Sequence, residues 1–79
     1  MAKRHHAYVS PFAALMGAHR FEFATQLAQQ TGLDPSQILF AYLQITASVA
    51  GMALSGETAR QRTIDQQFQQ FLTDAQAAD

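Results

Sequence analysis

Apolar residues fall into three differently patterned stretches along this chain, and each pattern predicts a helix. In the first, Phe12, Leu15, Met16, Phe23 and Leu27 recur at helical spacing with Ala24 and Ala28 beside them, marking one face of a helix over about 11–31. Ser10 and Pro11 start it as an N-cap and first-turn pair, because proline has no N–H to satisfy there and its φ already suits a helix. Gly17 interrupts the pattern at a cost of about 1 kcal/mol relative to Ala, so a kink or a separate first turn is expected at that point. Gly32 ends the helix.

The second stretch, over about 35–54, has no polar face of comparable width. Its entrance is Asp34-Pro35-Ser36-Gln37, in which Asp34 and Gln37 are spaced for a capping box and Pro35 occupies the first turn. From Pro35 to Gly56 there are 22 residues without a charge. A helix apolar on more than one face must be wrapped by protein or lipid, since exposing it forfeits burial worth about 25 cal/mol per Å². After a corner at Ser55 and Gly56, the third stretch over about 57–75 is amphipathic. Ile64, Phe68, Phe71 and Leu72 form its apolar stripe, while Arg60, Gln61, Asp65, Gln66, Gln69 and Gln70 are expected to face water. Residues 1–9 and 76–79 carry no periodic apolar face and are expected to be flexible.

The implied fold is an all-α single domain of three helices, with the second as a central strut on which the first and third pack. A domain of 79 residues buries only about 60% of the surface its unfolded chain exposes. Yet 48% of the residues are hydrophobic and only 14% are charged, against a usual charged share of about 25%. The surplus apolar surface therefore points to completion by dimerisation or by a protein partner. The absence of cysteine removes disulfides and thiolate metal sites, leaving packing to hold the fold.

A net charge of −1 supplies no overall field to steer the chain onto nucleic acid or anionic lipid. The start, MAKRHHAYVSPFAALMGAHR, has the basic opening and apolar run of a signal peptide, but the run holds only about seven residues before His19 and Arg20, and Pro11 begins it rather than ending it. A cytoplasmic location is expected. The uncharged residues from Ile38 to Leu54 lie at the lower limit for crossing about 30 Å of hydrocarbon, and Gln44, Thr46 and Ser48 dilute them. A buried helix is the expectation, with a small membrane-associated protein as one alternative.

The corner between the first two helices carries a motif. Leu27, Ala28, Gly32, Leu33 and Ile38 have the order and spacing in which Ala permits close helix approach, Gly turns left-handed and the last two residues plug the corner. Over Leu27 to Ile38 the chain resembles the helix-turn-helix core of bacterial repressors. That resemblance implies a DNA-binding regulator, with Ser36 and Gln37 opening the recognition helix and Lys3, Arg4, Arg20, Arg60 and Arg62 meeting phosphate. The chain departs from the pattern where DNA is read. Leu39, Phe40, Ala41, Tyr42 and Leu43 follow Ile38, and no Lys or Arg lies between Arg20 and Arg60. A compact corner between packed helices is the preferred reading, and nucleic acid and membrane are both disfavoured as partners.

Chemistry is sparse. His19 and Glu22, three apart, could share a helical face, but a helical metal centre needs more carboxylates than this chain projects, and the second helix supplies none. Ser10, Ser36 and Ser55 are accounted for by caps and corners, and the four glycines form no phosphate loop. No enzyme, cofactor or metal is expected. Phe21 and Phe23 lie about 200° apart on a helix, as do Phe40 and Tyr42, so one of each pair should leave the core. Phe21, Phe40 and Tyr42, with the small patch Ala47, Ala50 and Gly51, are the expected contacts for a protein partner or a second copy of the chain. The function expected is that of a small interaction module, a regulator, adaptor or inhibitor of a larger protein such as phage and mobile elements encode.

Overall fold

A computed structural model describes residues 8–78 and shows an all-α domain. A single 3-10 turn, Ala13–Met16, precedes three helices: α1 (Arg20–Thr31), α2 (Pro35–Ala50) and α3 (Glu57–Ala77). The helices α1 and α3 pack on α2, and α1 also touches α3 at fewer places.

Three boundaries differ from the sequence expectation. The first helix begins at Arg20 rather than near Pro11, because the chain breaks at Gly17 and the segment before it closes only as a 3-10 turn. The Gly17 N–H donates to Ala14 O at 3.1 Å, and the Arg20 N–H donates to Gly17 O at 3.2 Å. Phe12 and Leu15 still reach the core from that turn, but Met16 points out. The second helix ends at Ala50 instead of Leu54. Its last turn tightens as Gly51 donates to Ser48 O at 3.1 Å and Met52 to Val49 O at 3.0 Å, and the chain then bends so that Leu54 packs back against the core. Gly56 sits at φ 93°, a value that disfavours any side chain, and hands the chain to α3. The third helix runs on to Ala77, past the expected end near Ala75.

The other punctuation acts locally. The capping box at the start of α2 is present, with the Asp34 N–H donating to Gln37 Oε1 at 2.9 Å. Gly32 takes the left-handed conformation at φ 78°, and its N–H donates to Ala28 O at 2.8 Å. Thr31 stiffens the same corner, donating its hydroxyl to Leu27 O at 3.0 Å while accepting from the Leu33 N–H at 3.2 Å. This corner sets the angle between α1 and α2.

The core is centred on Phe68 of α3. Phe12 meets its ring edge-on at 4.9 Å and Tyr42 does so at 5.1 Å, while Phe71 stacks beside it at 5.8 Å. Ala24 and Leu27 from α1, Ile38 and Val49 from α2, and Ile64 and Leu72 from α3 fill the space around this aromatic cluster. Packing of this kind must carry the domain's stability, since no disulfide is available to it.

Candidate functional site

Turning inward toward α1 and α3, α2 buries Ile38, Tyr42 and Val49. Among the described residues nothing covers its opposite side. Phe40 is 62% exposed and Leu43 59%, and Ser36, Ala47 and Ala50 are exposed with them. On a helix these positions fall within about 80° of arc, so they make one continuous strip rather than scattered apolar residues. Single exposed apolar side chains are ordinary on a protein surface, whereas a contiguous strip is not.

At the edge of the strip the 3-10 turn leaves an apolar hollow of about 260 Å³ beside Leu39 and Leu43, walled by Leu15, Met16 and Tyr42 with Arg20 at its rim. The Arg20 guanidinium donates to Gly17 O at 3.2 Å and forms no ion pair among the described residues. The hollow and the strip share Leu43. Together they form one apolar surface.

The partner contacts expected from sequence divide cleanly. Phe21 and Phe40 lie on the surface, as do Ala47, Ala50 and Gly51. Tyr42 does not, contrary to the sequence expectation: it is 2% exposed, because the face of α2 two residues on from Phe40 is the one that meets Phe68. Helix geometry allows only one of the two aromatics outside, and naming both as contacts was one too many. Leu43 and Met16 were missed as surface residues, because an apolar residue at helical spacing carries no sign of whether anything will cover it.

The cations named for nucleic acid are dispersed in their engagements. Lys3 and Arg4 lie outside the described residues. Arg60 is half-buried and pairs with Glu57 at 3.1 Å, and the Arg62 guanidinium lies 5.1 Å from the centre of the Tyr8 ring. Ser36 and Gln37 are exposed on the first turn of α2, but the Gln37 side-chain oxygen is committed to the Asp34 N–H. His19 Nδ1 and Glu22 Oε1 sit 3.1 Å apart on open surface. Among the described residues no three metal-binding side chains of the His, Asp and Glu type come together, and no helix is long and apolar enough to cross a membrane.

On α3 too the structure departs from the sequence expectation. Asp65, expected to face water, is 5% exposed and lies at the centre of a polar cluster. Tyr8 donates its hydroxyl to Asp65 Oδ2 at 2.6 Å and Ser10 donates to Oδ1 at 2.9 Å, with the Gln61 amide donating to the same oxygen at 3.3 Å. Gln61 also reaches the Tyr42 hydroxyl and Ser10 Oγ, both at 3.4 Å. Ser10 accepts in turn from the Phe12 N–H at 3.1 Å, so the expected N-cap serine caps a turn and ties it to α3 at once. The hydrogen bond to Asp65, then burial and the Asp65 charge, raises the Tyr8 pKa above its usual 10.0, with Arg62 opposing. Burial raises that of Tyr42, with the Asp65 charge adding to it and the bond from Gln61 working against it. Among the described residues the cluster contains no histidine or lysine to move a proton near neutral pH, and the serine faces no base other than the carboxylate. Its effect is to hold the segment from Tyr8 to Phe12 against α3.

No protein family, curated protein or solved structure matches this chain.

Proposed function

We propose that the chain is a small non-enzymatic protein-binding module, acting as a regulator, adaptor or inhibitor through the outward strip of α2. The observation that carries this reading is the exposure of Phe40 and Leu43 on a helix face with no charge from end to end. Leaving two large apolar side chains in water forgoes about 1.5–3 kcal/mol each of available burial, which a bound partner recovers. The polar cluster around Asp65 supports the same reading from the other side. It ties down the amino-terminal segment and thereby fixes the turn bearing Leu15 and Met16, which form the wall of the hollow.

A nucleic-acid function has less to support it, since Arg60 and Arg62 are occupied within the fold and the helix that would enter a groove presents Phe40 and Leu43. The test is photo-cross-linking in the native cell with a benzophenone side chain at Phe40, compared with one at Gln66 on the polar side of α3. Protein adducts from position 40 and none from 66 are the expected result. No adduct at 40, or equal labelling from both positions, defeats the reading.

A further inference from the structure

Resting on the reading of the α2 strip as a docking surface, the geometry points to a specific occupant. We infer that the strip binds a second copy of the chain, with the two α2 helices antiparallel across a two-fold axis. Leu43 then lies against the partner's Ala47, and Phe40 against the partner's Ala50.

Charge narrows the choice first. Between Asp34 and Glu57 the chain has no Asp, Glu, Lys, Arg or His, so the face of α2 itself offers no charge to attract or orient a charged partner, and Arg20 at the rim of the hollow turns its guanidinium to Gly17 O. It penalises any partner whose charges would be desolvated against it. A matching surface must itself be uncharged and helical in width, and the strip of another copy meets both conditions.

Size decides the direction. Along the strip the large side chains, Phe40 and Leu43, stand in the amino-terminal half, and the small ones, Ala47 and Ala50, in the carboxy-terminal half. Their spacing of three, four and three residues is that of alternating core positions in a two-helix seam. A parallel pair would set Phe40 on its own copy and leave the alanines facing each other across a gap, which forfeits dispersion contact. The antiparallel pair places large on small at four sites, two unique and two by symmetry. Alanine at those sites lets the axes approach toward the lower end of the usual ~8–10 Å. Such an interface is isologous and closed, so it ends at two copies.

The seam is short. A helix of 16 residues is about 24 Å long, and a strip of that length falls below the ~800 Å² per partner of a standard interface. The dimer is accordingly expected to be reversible, with Met16 at its margin.

Sedimentation equilibrium from micromolar to millimolar protein tests the self-association. The expected outcome is a mass that rises from one chain to two and stops there, with Ala47→Arg holding the protein at one chain and Gln66→Arg on α3 leaving the rise intact. Because the chain lacks cysteine, the register is read directly by disulfide formation. A mixture of Leu43→Cys and Ala47→Cys proteins should cross-link severalfold more than either alone. A wild-type mass of one chain at every concentration overturns the inference, as does a dimer untouched by Ala47→Arg. Preferential pairing of Ala47→Cys with itself overturns the antiparallel arrangement. Should the wild type stay monomeric while the benzophenone at position 40 captures a different protein, self-pairing fails and the docking surface stands.

Discussion

The outer strip of α2 and the polar cluster on α3 invert the usual division of a folded chain. One exposes Phe40 and Leu43, while the other buries a carboxylate, Asp65. The difference lies in what each helix had available to meet it. Three donors from Tyr8, Ser10 and Gln61 converge on Asp65, and a buried charge with its hydrogen bonds satisfied is tolerable. Among the described residues nothing covers the far side of α2 once α1 and α3 have taken the near side. Burial in a domain this small is set by supply of neighbours as much as by the polarity of the residue.

The largest expected effect is at the centre that both regions share. Phe68→Ala removes the ring met by Phe12, Tyr42 and Phe71 and should cost about 3–5 kcal/mol in urea unfolding, enough to abolish most of a small domain's stability. A loss below 1 kcal/mol would mean that the aromatic cluster is not the core. Next comes the buried carboxylate. Asp65→Ala strands three donors and should destabilise by about 1–3 kcal/mol. Asp65→Asn should cost less, since it keeps an acceptor for Ser10 and Gln61 while the Tyr8 hydroxyl can turn to accept. Equal losses for the two would show that the hydrogen bonds are immaterial.

The two tyrosines offer a finer probe. Each has a folded-state pKa raised above 10.0, so the folded form holds its phenol proton where the unfolded form has lost it. Their contribution is therefore complete below pH 10 and is lost as pH rises through the raised folded values. Stability should fall with alkaline pH in that window, and the Tyr8→Phe, Tyr42→Phe double variant should flatten the decline relative to wild type. An unchanged slope counts against the cluster. The smallest effect on folding is expected on the outer strip, where Phe40→Ser should shift monomer stability by no more than about 0.5 kcal/mol. A large loss at low protein concentration would show that Phe40 belongs to the core after all.

Local signals proved legible where the chemistry is local. The Asp34-Pro35-Ser36-Gln37 entrance starts α2 at Pro35, Gly32 turns left-handed, and α3 begins at Glu57 after Ser55 and Gly56. Ile64, Phe68 and Leu72 face the core as their spacing requires. The site was legible only in part. Helical geometry put one of Phe21 and Phe23 and one of Phe40 and Tyr42 outside without choosing between them; Tyr42 was expected as a contact and is buried, and Leu43 and Met16 were not expected on the surface, since each is equally apolar on paper. Asp65 was misplaced for a similar reason. Its donors Tyr8 and Ser10 lie more than fifty residues away, and no periodicity within α3 reports their approach.

By itself, then, the sequence determined three helices, their turns and an uncharged central segment, because caps, glycines and apolar spacing act over a few residues. Tertiary structure alone decided which side of that segment is covered and that a carboxylate lies inside, because both depend on which distant side chains arrive and which never do.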